Sequence, residues 1–352
     1  MTAMKKRILI IGGGVSGLAL AEIFETRKMD YQLVEARARF GGRIKTTQIK
    51  GRSFDLGPAW IWPHQPRITN MIARLGLETF EQYFHGDALF ENAQGQTQRA
   101  RGFASMAGSF RVNGGLSALT DALRANLSQE RLHLSTEVTS MCQTSTGISA
   151  TFNASDVRHF THVVLAIPPR IAANIRFDPP LPEATLDAMK NVPTWMAGQA
   201  KAIALYDRAF WRDANLSGDI ISQRGPLGEI HDASPQIDGP YALFGFIATP
   251  PSARLDESIL KEQIQQQLIR IFGSDAAAPR ALLIKDWATD RLAATPRDLA
   301  PLLAHPRYGL PHEMAHIWEG RLRFAGTEVG TDFGGYIEGA LEAAEQVGDD
   351  LL

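Results

Sequence analysis

An α/β fold is predicted for this 352-residue chain by three observations. An apolar run, Ile8 to Ile11, feeds a glycine-rich turn and then a helix-period pattern. A second apolar run, Tyr31 to Val34, ends on an acidic residue, Glu35. Apolar strands and amphipathic helices then alternate along the rest of the chain. With 44% hydrophobic residues, a large core can be buried, and the length suggests two domains rather than one.

The first element carries the most information. Gly12, Gly14 and Gly17 stand at G-x-G-x-x-G spacing, followed by Leu18, Leu20, Ile23 and Phe24 at helical intervals. In such a Rossmann-like turn, Gly12 permits the tight strand-to-helix reversal and Gly14 lets backbone approach a pyrophosphate. Gly17 lets the helix pack closely on the sheet. The helix N-terminus, with unpaired N–H groups and the positive end of the macrodipole, favours anions. Glu35 follows about 20 residues after the turn, where a carboxylate can bind ribose hydroxyls and repel a 2′-phosphate. Taken alone, these features leave NAD and FAD both open. A second Gly-Gly-Arg turn, Gly41 to Arg43, follows at once.

The remaining elements are read in order. Ile68 to Leu75 reads as a helix stopped by Gly76, and Phe80 to Ser109 as strand and loop. Asn113, Gly114 and Gly115 precede a helix marked by Leu116, Leu119, Leu123 and Leu127. Leu132 to Met141 reads as a strand, Gln143 to Asp156 supports a hairpin, and Thr161 to Ile167 is a buried, parallel-type strand ended by Pro168 and Pro169. Gln199 to Leu205 is an apolar strand with Lys201 in its middle, and a charge there needs a reason. Strand Tyr241 to Ala248, helix Ser258 to Phe272 and strand Ala281 to Trp287 form a second αβ region. Finally Leu322 to Phe324 runs into a second glycine-rich loop that opens a helix.

Composition narrows the function classes. A net charge of −2 leaves no electrostatic footprint for nucleic acid or an anionic membrane surface. The single cysteine, Cys142, excludes an internal disulfide and any multi-cysteine metal site, and it fits a reducing compartment. Lys5, Lys6 and Arg7 ahead of an apolar run imitate a secretory signal, but Gly12 to Gly14 interrupt the run after four residues. No stretch approaches the roughly 18 apolar residues of a membrane span, so a soluble, cytoplasmic protein is expected. His312 and His316 stand four apart without supporting acidic ligands, so no metal is expected.

Across most of its length the chain resembles the flavin-containing monoamine oxidase family. The resemblance rests on GGGVSGL, VEAR and FGGR near the start, FDLGPAWIW at Phe54 to Trp62, and HQPRITNMIARLGL after it. LAIPP (Leu165 to Pro169), FDPPLP (Phe177 to Pro182), AKAIALYDRAFW (Ala200 to Trp211), Trp287, and FAGTE through EGALEAAE complete it in the same order. It implies a Rossmann-like FAD-binding domain of the GR2 type over residues 1–78, 109–190 and 291–352. An interleaved α+β substrate-binding domain would span 79–108 and 191–290. It also decides for FAD, bound noncovalently, since Cys142 does not match the family's flavin-linked cysteine.

Carried over residue by residue, the resemblance implies that Gly12, Gly14, Val15, Ser16, Gly17, Glu35, Ala36, Arg37, Gly42 and Arg43 hold the adenine dinucleotide half. Gly57, Pro58, Ala59 and Trp60 would lie along the flavin, and Val138 would meet adenine through its backbone. Gly326, Glu328, Tyr336 and Ile337 would take the remaining edges. Lys201 matches a lysine that binds a water near flavin N5, Tyr336 one wall of an aromatic cage, and Trp287 a flavin-side tryptophan. The second cage aromatic falls near Pro296 or Arg297, where no aromatic stands. The stretch from Gly76 to Gly114 is short for the family, which implies a more open pocket.

The expected activity is oxidation of a small amine by hydride transfer to the flavin, with molecular oxygen as the second substrate and hydrogen peroxide as product. Alternatives are a desaturase or oxidase acting on an apolar ring or polyene, renalase-like oxidation of a reduced pyridine nucleotide, and a noncatalytic flavoprotein. The sequence leaves homodimerisation open.

Overall fold

The computed structural model describes residues 6–300, 302 and 304–352; Lys5 of the basic stretch lies outside them. A five-stranded sheet is ordered Leu322–Phe324, His162–Leu165, Arg7–Ile11, Asp30–Val34, Leu132–His133. All neighbours are parallel, with Ile11 beside both Val34 and Leu165, and Leu165 beside Phe324. The carboxyl ends of the four longer strands therefore lie along one edge, from which Gly12, Glu35, Ala166 and Ala325 leave the sheet. Parallel open sheets place ligands at such an edge.

Burial on both faces explains why the first strand is an unbroken apolar run. Ile8 and Ile10 pack with Leu18, Leu20 and Phe24 of the helix Val15–Thr26 and with Leu341 and Val347 of the last helix, Ile337–Leu351. Leu9 and Ile11 face Val163, Phe152, Phe160 and Phe177 on the opposite side. Truncating a fully buried ring such as Phe24 to alanine removes about 3–5 kcal/mol.

A seven-stranded sheet forms the other half, ordered Ala281–Asp286, Ala200–Tyr206, Tyr241–Ile247, Leu227–Asp232, Leu216–Ser222, Asp87–Glu91, Thr97–Ala100. The helix Glu257–Phe272, capped by the Asp256 carboxylate on the N–H groups of Ser258 and Ile259, covers one face through Leu260, Ile264 and Leu268. The other face turns Ile203, Leu205 and Phe244 toward Phe54 and Leu56. That contact brings this sheet against the segment that runs into Gly57. Among the described residues, no helix is long and apolar enough to cross a membrane.

Several elements depart from expectation for physical reasons. The single strand expected over Leu132 to Met141 is two, Leu132–His133 in the parallel sheet and Val138–Gln143 in a four-stranded sheet. Ser135, at φ 52°, turns the chain between them, and its N–H donates to Arg37 O (2.9 Å). The helix expected from Ile68 begins at Pro66, and its first free N–H groups, Arg67 and Ile68, donate to the buried Glu338 carboxylate at 2.9 Å each. Strands Leu216–Ser222 and Leu227–Asp232 lie where no element was anticipated. Their polar residues are buried in hydrogen bonds that an apolar pattern does not reveal: Asp219 with Ser217 and His231, and Asp232 with Trp211, Arg212 and Ser234.

Candidate active site

At the sheet edge, the first glycine turn is shaped by missing atoms. A Cβ at Gly12, which sits at φ +110°, would lie 2.6 Å from Ala166 O, and one at Gly17 would overlap Gly12 O. Gly14 differs: a Cβ there would meet nothing within 4 Å. Gly14 is also the N-cap of the helix Val15–Thr26, which has no side-chain cap and no acid in its first turn. An open concavity at an uncapped helix N-terminus is a cradle for an anion.

The second glycine turn closes on the first. Gly41 N–H donates to Gly13 O at 2.8 Å. Arg39 staples the turn by donating to the carbonyls of Phe40, Gly42 and Ile44. Glu35, buried, accepts the N–H groups of Gly13 and Arg37, both at 2.8 Å. Its own backbone takes part as well: Glu35 N–H donates to His133 O and Thr136 N–H to Glu35 O. These bonds draw the segment leading to Val138 toward Glu35, Ala36 and Arg37, and Arg37 pairs with Asp290 at 2.7 Å.

The chain's far end completes this edge. Ser16 Oγ donates to Ala325 O, and Arg43 pairs with Glu328 at 2.7 Å. Glu328 is fully buried, and its Oε2 has no hydrogen-bond partner. An unpaired buried carboxylate oxygen is costly, on the order of 1–3 kcal/mol or more, and calls for a donor. The open cradle at Gly14 and the orphaned oxygen at Glu328 fit a dinucleotide whose phosphates meet the helix and whose hydroxyls reach the acid. Ile337 opens the last helix, whose N-cap is Tyr336.

The three candidate chemical residues fall into two groups. Lys201 and Trp287 converge on one loop: Lys201 Nζ donates to Gly57 O, and Trp287 Nε1 to Leu56 O at 3.0 Å. Lys201 is buried rather than snorkelling to the surface, and its ammonium faces three rings. Phe244, Phe246 and Trp60 have centroids at 4.4, 5.3 and 5.5 Å from Nζ. Burial pushes the Lys201 pKa down to about 7, with Asp55 opposing the shift and Arg111 adding to it. Asp55 is itself buried and pushed up by desolvation; it accepts from Thr46 Oγ1 and Leu116 N–H.

Tyr336 belongs to the second group. Its ring stacks on His305 at 5.2 Å and 19°, and His305 in turn meets Trp195 and Tyr308 edge-on. The ring facing Tyr336 thus comes from a loop eight residues beyond Arg297, which itself reaches Asn191. Sequence comparison by position missed His305, since a histidine in a proline-rich loop carries no periodic signal.

Other residues missed by sequence reasoning surround Trp60. Its Nε1 donates to Gln82 Oε1 at 2.8 Å, and Gln82 Nε2 donates to Asp232 O at 2.7 Å. Alternation of Phe244 and Phe246 on a strand paired with Lys201 was the available clue.

Known proteins are similar to this chain in sequence and in fold. Residues 90–352 match the family described as Flavin containing amine oxidoreductase, and residues 10–75 match the NAD(P)-binding Rossmann-like domain. A probable flavin-containing monoamine oxidase A of Dictyostelium discoideum is 22% identical over 98% of this chain and 97% of its own length. The flavin-containing amine oxidase A of Canis lupus familiaris is 24% identical over 98% of this chain and 84% of its own. In fold, the chain superposes on putrescine oxidase bound to putrescine with TM-score 0.83, 19% identity and 98% of both chains covered. Cyclohexylamine oxidase from Brevibacterium oxydans gives 0.79, 18% and 99% of both chains. With the second glycine turn and the buried acid of the last loop closing on the first turn, and with three quarters of the sequence matched, the chain belongs to the flavin containing amine oxidoreductase family and is an FAD-dependent oxidoreductase.

Proposed function

We propose that the protein oxidises a small amine to an imine, which water hydrolyses to a carbonyl compound, with oxygen reduced to hydrogen peroxide. Family membership and the names of its relatives support an amine as donor. The observation that carries the reading at the level of residues is Lys201, buried in an aromatic box with Nζ on Gly57 O.

Bound FAD supplies the two-electron acceptor that takes a hydride from the carbon bearing nitrogen. In this reading Gly12, Gly14, Val15, Ser16, Gly17, Glu35, Ala36, Arg37, Gly42, Arg43 and Val138 hold its dinucleotide half. Gly57 to Trp60, Gly326, Glu328, Tyr336 and Ile337 hold the rest. Cys142, with Sγ 3.7 Å from Asp178 Oδ2, is engaged elsewhere, which supports noncovalent binding.

The chain's own contribution is to dry and order the site. Trp60 and Phe246 exclude water, favouring the neutral, reactive amine over its ammonium form. Lys201, with a pKa about 7, carries its proton for part of the time at neutral pH. It can hold a water through one N–H and place positive charge where reduced oxygen develops. Trp287 fixes the Leu56 carbonyl beside this group. The Tyr336–His305 pair presents an aromatic wall to an arriving amine.

The test is a donor screen: the purified flavoprotein is mixed anaerobically with primary, secondary and diamines, and with reduced nicotinamide nucleotide. Bleaching of the oxidised flavin band by an amine, with peroxide released on admitting air, is the expected result. Bleaching by the nucleotide alone would overturn it.

A further inference from the structure

The face of the seven-stranded sheet that carries Lys201 also carries a buried ionic cluster. Register places Lys201 beside Phe246, Phe246 beside Glu229, and Phe244 beside His231. His231 is 1% exposed, yet both ring nitrogens are engaged. Nδ1 lies 2.7 Å from Asp219 Oδ1 and Nε2 lies 2.8 Å from Glu229 Oε1. Asp219 also accepts from Ser105 Oγ through Oδ2 at 3.1 Å. Two carboxylates as acceptors call for a donor at each ring nitrogen, an arrangement that favours the imidazolium form. Burial opposes that charge, but the two carboxylates outweigh it and the His231 pKa is raised.

An imidazolium with both N–H groups committed has no lone pair for proton abstraction. What it offers the site is the position of its ring. That ring stacks on Phe244 at 5.8 Å and 21° and meets Trp60 edge-on at 5.3 Å and 78°. Phe244 and Trp60 are two of the three rings around the Lys201 ammonium. Gln82 fixes Trp60 through its indole N–H. Like Phe246, His231 is in direct ring contact with both walls, and it is also tied by ion pairs to Asp219 of strand Leu216–Ser222 and Glu229 of strand Leu227–Asp232.

We infer that His231 is a positioning residue: an imidazolium clamped by Asp219 and Glu229 that braces Trp60 and Phe244 and so keeps bulk solvent, beyond one held water, from Lys201. The inference rests on the reading of Lys201 as the group that serves the flavin. The charged groups facing Lys201 are Asp55 and Arg111, those facing His231 are Asp219 and Glu229, and the rings between them do not ionise. Loosening the rings admits bulk solvent to Nζ, relieves desolvation and raises the lysine's proton affinity.

The experiment follows the Cε resonance of Lys201 in full-length, FAD-loaded protein labelled with 13C-lysine, assigned by its disappearance in Lys201→Met and titrated from mildly acidic to alkaline pH. His231→Leu is expected to move the Lys201 midpoint upward by about one pH unit or more. Where that variant fails to fold or to load FAD, Glu229→Leu, at a partly exposed position, removes one clamp and is expected to give a smaller upward move. A merely structural role lowers the unfolding temperature and leaves the midpoint in place; an unmoved midpoint in a folded variant overturns the inference. The titration is read without substrate, so failure of every amine to reduce the flavin would sink the proposed function while leaving this result interpretable.

Discussion

The two halves of the site are built by opposite means. At the edge of the parallel sheet, space is made by leaving atoms out: Gly14 opens a cradle, and Gly12 and Gly17 admit backbone where a Cβ would collide. Against the seven-stranded sheet, the site is made by putting expensive groups in, with Lys201, Asp55, Arg111, Asp219 and His231 all buried. The first half is specified by local spacing and tolerates little side-chain chemistry. The second is specified by cross-strand register and depends on charge. The first half is therefore shaped by the backbone, the second by the desolvation of charge.

The sharpest way to break this comparison is within the glycine turn itself. Gly14→Val has room for its side chain and a compatible extended backbone, at φ −76° and ψ −178°. It should leave the cooperative melt of the flavin-free chain nearly unchanged while weakening FAD binding by about 100-fold or more, a loss of roughly 3 kcal/mol by isothermal titration. Gly17→Val should do the reverse kind of damage and lower the melting temperature outright, since its Cβ overlaps Gly12 O.

On the other side, Lys201→Met should retain FAD and slow reoxidation by oxygen on the order of 10- to 100-fold, measured by stopped flow. It should also stabilise the fold. A pKa brought from 10.5 to about 7 means that the unfolded chain binds the proton more tightly than the folded one between those values. Stability thus rises with pH through that window, and at pH below about 7 the buried lysine costs nearly the full roughly 4–5 kcal/mol of the shift. The gain in melting temperature for Lys201→Met should be larger near pH 6 than near pH 9.5; an equal gain at both would contradict the burial argument.

Smaller effects probe the borders. Glu328→Gln keeps the shape but removes the charge opposite Arg43, and FAD affinity should fall by about 10-fold. Gln82→Leu leaves the Trp60 indole N–H without its acceptor and should lower turnover only a few-fold, with about 1 kcal/mol lost from stability in denaturant melts. If Gln82→Leu proved as damaging as Lys201→Met, ring position would matter more than charge in this half.

Legibility in the sequence follows the same division. The turn at Gly12 to Gly17, the acid at Glu35 and the strand Ile8 to Ile11 could be read because each is a local pattern with a fixed spacing. Lys201 announced itself as a charge inside an apolar strand. By contrast, His231 and Asp219 sit in strands that burial of hydrogen-bonded polar groups made unreadable as apolar patterns. Glu338 capping a helix that begins at Pro66 is a contact across 270 residues, which no spacing rule reaches. His305 beside Tyr336 depends on a loop path. No aromatic stands near Pro296, and the ring that faces Tyr336 comes from His305, whose approach only the folded chain reveals.

The closing contacts between Ser16 and Ala325, 309 residues apart, and between Arg43 and Glu328 have a consequence for synthesis. A ribosome extrudes the first glycine turn long before the residues that complete its edge. The nascent chain can form the strand, turn and helix, but the edge proposed to hold the flavin is incomplete until the loop of Glu328 has emerged and docked. On the proposed reading loading comes only after Glu328 has been made, and a chain stalled or clipped before it should accumulate as a flavin-free species even when everything upstream of the cut is intact.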